Sequence, residues 1–162
     1  NLIGKPLEDW PDEQWLDISS IDGLSPIILG RLELAVEKGC DAVEPDNVDG
    51  FENDSGFDLT ASDQLKFNKW LAGEAHARGL GIGLKNDLSQ VGELLDYFDF
   101  AVNEQCFEYE ECETLLPFVE NGKAVFGVEY NLEKSEFCDQ ANEMNFDWLK
   151  MDLELDGNRE AC

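Results

Sequence analysis

The sequence predicts an α/β fold of the (β/α)8 barrel type, incomplete by about its first two βα units. Three observations carry this. Short apolar runs alternate with longer segments of helical periodicity, so the strands are joined by helices and must run parallel. Charged or amide residues close nearly every apolar run, which is where a barrel builds its active site. The chain has 162 residues, where a whole barrel takes roughly 250. An open doubly wound sheet competes, but no G-x-G-x-x-G follows the first strand. One domain is expected over residues 1–162.

The elements follow in order. Residues 1–14 read as loop, with Gly4, Pro6 and Pro11. Gln14-Trp15-Leu16-Asp17-Ile18 reads as a short strand. A helix starts after Ser25, with Pro26 in its first turn, and Gly39 closes it. A strand over 41–46 comes next, where Ala42, Glu44 and Asp46 alternate with Val43, Pro45 and Asn47. Two carboxylates therefore share one face. Past a polar loop, Thr60 caps a helix over 61–78, with Asp63 at its third position. His76 lies near the end of that helix, suited to meet its last carbonyls. The unit then repeats, with strands at 80–84, 98–102 and 124–128 and helices at 89–97, 110–121 and 134–144. A last strand covers 148–153.

Composition narrows the function. Asp and Glu number 37 against 11 Lys and Arg, a formal charge of -26. That excludes nucleic acid and an anionic membrane as partners and suits a cationic ligand. No apolar run is long enough to span a bilayer, and no signal peptide opens the chain. Starting at Asn1, the chain reads as a mature portion or a fragment. None of the five cysteines forms a C-x-x-C pair, and one histidine leaves a zinc site poorly supplied. Cys106 is expected to bridge Cys112, and Cys138 to bridge Cys162, with Cα atoms within ~7 Å. Cys40 is the odd thiol. Bridges favour a secreted protein, and free buried cysteines are the alternative.

On a barrel, Asp17, Glu44, Asp46, Lys85, Glu104, Glu129, Lys150 and Asp152 crowd one rim. Carboxylates with two lysines suit glycoside hydrolysis, where one carboxyl serves as acid/base and another as nucleophile or water activator. That chemistry needs no cofactor. Trp10, Phe51 and Tyr130 are aromatics able to stack on sugar rings. Two other readings stand: a catalytically silent sugar-binding barrel, and a metal-dependent one with calcium or magnesium on Glu44, Asp46 and Asp49.

Four ordered motifs resemble glycoside hydrolase family 114. They are Val43-Glu44-Pro45-Asp46-Asn47-Val48-Asp49-Gly50, Gly83-Leu84-Lys85-Asn86-Asp87, Asn103-Glu104-Gln105-Cys106 and Val128-Glu129-Tyr130. Trp15-Leu16-Asp17-Ile18 and Glu74-Ala75-His76-Ala77-Arg78-Gly79-Leu80 are similar to that family as well. The resemblance implies a secreted barrel enzyme, an endo-α-1,4-polygalactosaminidase acting on galactosamine-containing polysaccharide, expected as a monomer. It implies an Asp nucleophile at the end of the fourth barrel strand and a Glu acid/base at the end of the sixth, with retention. Asp46 matches the first, ahead of Asp49, and Glu104 the second. Asp17, Glu44, Asn47, Asp49, Lys85, Asn86, Glu129, Tyr130 and Lys150 are then expected to bind substrate, with no metal. Deacetylated galactosamine carries an ammonium group, which a carboxylate rim attracts.

Overall fold

Parallel strands joined by helices, neighbours in space as they are in sequence, make this an α/β fold. The structure is a computed structural model and describes residues 2–162. The chain forms two units, one ending at Ile82 and one spanning Gly83–Cys162.

The first unit opens with β1 (Ile3–Pro6) and β2 (Gln14–Leu16), which pair antiparallel. This corrects two expectations: residues 1–14 are not all loop, and the first anticipated strand is no member of the parallel sheet. Gly4 permits the arrangement, since a Cβ there would stand 2.2 Å from the Ser55 carbonyl oxygen. Helix α1 (Ile21–Lys38) starts earlier than expected and carries Pro26 in its interior. Proline has no N–H to give the carbonyl four residues back. The Ser25 hydroxyl donates to that Asp22 carbonyl instead, at 3.3 Å.

Strand β3 (Ala42–Val43) is far shorter than the 41–46 expected. Pro45 cannot donate to a ladder, so pairing stops before it. Helix α2 (Ala61–His76) has the anticipated cap: Thr60 Oγ1 accepts from the Asp63 N–H and Asp63 Oδ2 accepts from the Thr60 N–H. The Thr60 hydroxyl also donates to Asp63 at 2.6 Å, and these bonds hold the Asp63 carboxyl below its ordinary 3.8. Helix α2 buries Phe67, Leu71, Ala72 and Ala75. Strand β4 (Gly81–Lys85) then pairs parallel with β3, Ala42 opposite Gly81 and Val43 opposite Ile82.

The second unit takes in the rest of β4 and continues through α3 (Val91–Leu94), β5 (Phe100–Glu104), α4 (Leu116–Glu120), β6 (Ala124–Glu129), α5 (Lys134–Glu143), β7 (Asp147–Met151) and β8 (Arg159–Ala161). From β4 to β7 the strands are parallel and in chain order, while β8 returns antiparallel to β7. Helices α3 and α4 are shorter than expected because 3-10 turns, Leu88–Gln90 and Cys112–Leu115, occupy their first residues. Pro117 stands in the first turn of α4, where its missing N–H costs nothing. Both anticipated disulfides are present, with Cα separations of 4.8 Å for Cys106–Cys112 and 5.2 Å for Cys138–Cys162. Cys40 is free and exposed.

Alternation along β5 and β6 buries Ala101, Asn103, Val125, Gly127 and Glu129. Behind them pack Phe98, Phe118, Phe137 and Trp148. Gly127 admits the Trp148 ring so closely that a Cβ would lie 2.2 Å from it. Gly127→Ala is therefore expected to cost about 1–3 kcal/mol through overpacking, read from urea denaturation. Gly92→Ala, on α3 where a Cβ meets nothing within 4 Å, should instead stabilise by up to about 1 kcal/mol.

Candidate active site

Strand register decides which side chains meet. In the second unit Lys85 stands opposite Val102, and Glu104 opposite Val128. Side chains two residues apart share a face. Lys85, Glu104 and Tyr130 therefore project from one face at the C-terminal ends of β4, β5 and β6. Their atoms meet: Lys85 Nζ lies 3.2 Å from Glu104 Oε2, and the Tyr130 hydroxyl donates to Glu104 Oε1 at 2.5 Å. Lys85 is almost fully buried, Glu104 and Tyr130 half-buried. Lys150, from β7, donates to the Tyr130 carbonyl at 2.8 Å and steadies the backbone that carries the phenol. Both oxygens of Glu104 are thus engaged by donors, one of them cationic.

The opposite face carries Asn86, Asn103 and Glu129. Asn86 Oδ1 accepts from the Glu104 N–H at 3.0 Å and from Asn103 Nδ2 at 3.1 Å, while its own N–H donates to the Val102 carbonyl. Asn103 Oδ1 accepts from the Cys106 N–H at 3.0 Å. Asn86, Asp87 and Gln105 all have left-handed backbones, with φ of 51°, 44° and 67°. Non-glycine residues held there mark strand ends whose geometry the surroundings dictate.

Glu129 was expected on the sugar-facing rim. The register puts it on the helix-covered face, wholly buried, where Oε1 accepts from the Phe107 N–H at 2.9 Å. Trp148 lies beside the same carboxylate without closing a hydrogen bond to it. Burial pushes the Glu129 carboxyl above its ordinary 4.5, against the pull of the Phe107 and Glu108 amides. Beyond it, Asn131 Nδ2 and Gln105 Nε2 both donate to Glu108, so side chains from two strand exits hold one turn. Asn103, Gln105, Glu108 and Asn131 were not singled out as site residues. Asn103 was legible in principle, as an amide at a position where the alternation demands burial.

In the first unit, Asp46 is exposed and its Oδ1 accepts from the Asn47 N–H at 3.0 Å, with Asn47 left-handed at φ 55°. Pro45, Asp46, Asn47 and Val48 form one wall of a cavity of about 180 Å³, with Trp15, Gln64 and Phe67 among the others. Asn68 Nδ2 donates to the Val48 carbonyl and Asn68 Oδ1 accepts from Gln64 Nε2, so α2 holds the loop bearing Asp46 by buried amides. Glu44 is exposed, and Asp49 precedes the 3-10 turn Gly50–Glu52. Asp17 Oδ1 is taken by the Ser19 N–H and hydroxyl in a local turn. His76 ends α2 and is exposed. Among the described residues, no three His, Cys, Asp or Glu side chains form a group able to hold a metal ion.

A raised carboxyl has a signature in stability. Below 4.5 the Glu129 carboxyl is protonated in both folded and unfolded chains and costs nothing. As pH rises from there through the raised folded value, the unfolded chain ionises first and the folded state loses stability. Glu129→Gln cannot ionise. Its melting temperature relative to wild type should therefore be higher at pH 8 than at pH 4; an equal offset at both would show Glu129 unperturbed.

The family model for glycoside-hydrolase family GH114 matches residues 1–162. No curated protein matches the chain. Among solved structures, Ega3 of Aspergillus fumigatus in complex with galactosamine is 42% identical, with a TM-score of 0.93 over 99% of this chain and 69% of that one. The glycoside hydrolase domain of PelA from Pseudomonas aeruginosa, at 12% identity and a TM-score of 0.69 over 90% of this chain and 66% of its own, shares the fold. A variant of that domain gives a TM-score of 0.72 at 13% identity, over 98% of this chain and 72% of its own. A carboxylate braced by lysine and tyrosine at parallel strand ends is thus found in a chain matched along its whole length: this glycosidase belongs to glycoside-hydrolase family GH114.

Proposed function

We propose that this chain cleaves α-1,4-linked galactosamine polysaccharide with retention, Asp46 acting as nucleophile and Glu104 as acid/base. The observation that carries the reading is the bracing of Glu104 by Lys85 and Tyr130. The 42% identity to a protein solved with galactosamine supports the choice of sugar. In the first step Asp46 attacks the anomeric carbon while Glu104 gives its proton to the leaving glycosidic oxygen. Once deprotonated, Glu104 stands in the arrangement seen, with an ammonium and a phenol on its two oxygens. Lys85 and Tyr130 thus stabilise the product of proton donation, which is where such contacts help the rate. The same carboxylate is then ready to take a proton from the water that releases the sugar from Asp46. Asn47, Asp49, Asn86 and Lys150 support these groups or line the path of the chain of sugars. Two disulfides persist only under oxidising conditions, which supports an exported enzyme.

Release of reducing ends from polygalactosamine tests the assignment. Asp46→Asn and Glu104→Gln should each lower kcat by about 10²–10⁴-fold while melting as wild type does. Asp49→Asn should do less, raising KM more than it lowers kcat. Full activity of Glu104→Gln, or loss confined to Asp49→Asn, would overturn the assignment.

The choice of amino sugar has its own test. A formal charge of -26 attracts a polymer of ammonium groups over distances that salt screens. Raising salt from about 0.05 to 0.5 M should therefore depress kcat/KM on deacetylated polymer and leave the acetylated polymer nearly unaffected. Equal salt sensitivity on both would mean that the ammonium groups are not what the surface attracts.

A further inference from the structure

The geometry points to Glu129 as a positioning residue: its buried carboxylate, accepting the Phe107 N–H, locks the turn leaving β5 and so fixes where Glu104 stands. The inference rests on the reading of Glu104 as acid/base, and it takes Glu129 out of the sugar-binding set. A wholly buried side chain on the helix-covered face touches no polysaccharide.

The turn begins one residue after Glu104. Gln105 is left-handed, and its N–H donates to the Val128 carbonyl at 2.8 Å. Cys106 is tied to Cys112 and gives its N–H to Asn103. The Phe107 ring stacks on Phe137 at 5.8 Å and meets the edge of Trp148 at 5.2 Å. These contacts set the path of the turn, but none of them ties the Phe107 amide to β6. Glu129 does so, and its chain neighbour Tyr130 holds the Glu104 carboxylate itself. Two consecutive residues of one strand end, pointing to opposite faces, thus grip the two ends of one short segment. A shift of Glu129 moves the turn, and with it the angle at which Glu104 meets Tyr130.

A bare stabilising role would lower the melting temperature and leave kcat per folded molecule alone, so the test reads kcat, KM and amide exchange together. Glu129→Gln keeps an acceptor at full reach and buries no charge. Glu129→Asn is equally neutral and one carbon shorter, so it cannot reach the Phe107 amide. On polygalactosamine, Glu129→Asn should lose about 10–100-fold in kcat with KM within about threefold of wild type, and Glu129→Gln should stay within about threefold in both. Hydrogen exchange at Phe107 should quicken in Glu129→Asn and not in Glu129→Gln. Wild-type kcat in folded Glu129→Asn overturns the inference, as does loss of kcat with wild-type protection of the Phe107 amide. A folded Glu129→Gln down by more than about tenfold also overturns it, since its reach and acceptor are intact. Should Glu129→Asn not fold, Glu129→Asp takes its place with the same expected outcomes. Full activity in Glu104→Gln would remove the acid/base reading alone, because the exchange comparison still decides whether Glu129 locks the turn.

Discussion

The Glu104 end of this site depends on one hydrogen bond, from the Phe107 N–H to the buried carboxylate of Glu129. A carboxyl without solvent is costly to ionise, and an unpartnered amide in the same place is costly as well. Bringing the two together removes part of both penalties and ties β5 to β6 just past their last ladder bonds. The backbone there is strained, with Asn86, Asp87 and Gln105 in the left-handed region. Such conformations cost on the order of 1–3 kcal/mol each and persist only where neighbours over-determine them. Asn86 shows how: it makes three hydrogen bonds to β5, each worth about 0.5–1.5 kcal/mol, which together offset its own strain.

Alternation along the strands was the most legible feature of the sequence, and the place where it was misjudged. Lys85, Glu104 and Tyr130 could be picked out as polar strand ends, and the register brings those three together. Glu129 was placed beside them because it too closes a strand. Yet Val125, Gly127 and Glu129 share a parity, and a strand whose other members are valine and glycine under a tryptophan faces the helices. Counting parity from the apolar end of β6 separates Glu129 from Tyr130. Counting polar residues at strand ends does not.

Other differences trace to constraints that act over longer range than a sequence window. The pairing of β1 with β2 depends on Gly4 meeting a carbonyl from residue 55, which nothing near Gly4 announces. The loss of strand after Val43 was legible, since Pro45 breaks the ladder, but the run of alternating acids drew the reading further. The shortening of the helix before β6 follows from the Cys106–Cys112 bridge, which closes a turn where a helix would extend the chain. Caps behaved differently. Thr60 with Asp63 is a local device, and it appears where the residues indicate.

The electrostatics of the molecule work on two length scales. The surplus of carboxylates is spread over the surface, and its field acts across water, where screening sets in at ~10 Å in 0.1 M salt. Lys85 is a single cation 3.2 Å from Glu104, nearly buried, in a medium that ions do not enter. Such a pair weakens little in salt. The long-range field and the contact of Lys85 with Glu104 are therefore separable. Under the proposed mechanism, salt acts on encounter with a cationic polymer, and hence on kcat/KM, while the step assigned to Lys85 and Tyr130 keeps its rate. A protein this acidic can hold one lysine against Glu104 without cancelling its long-range negative field, because burial confines that lysine's influence to the carboxylate it touches.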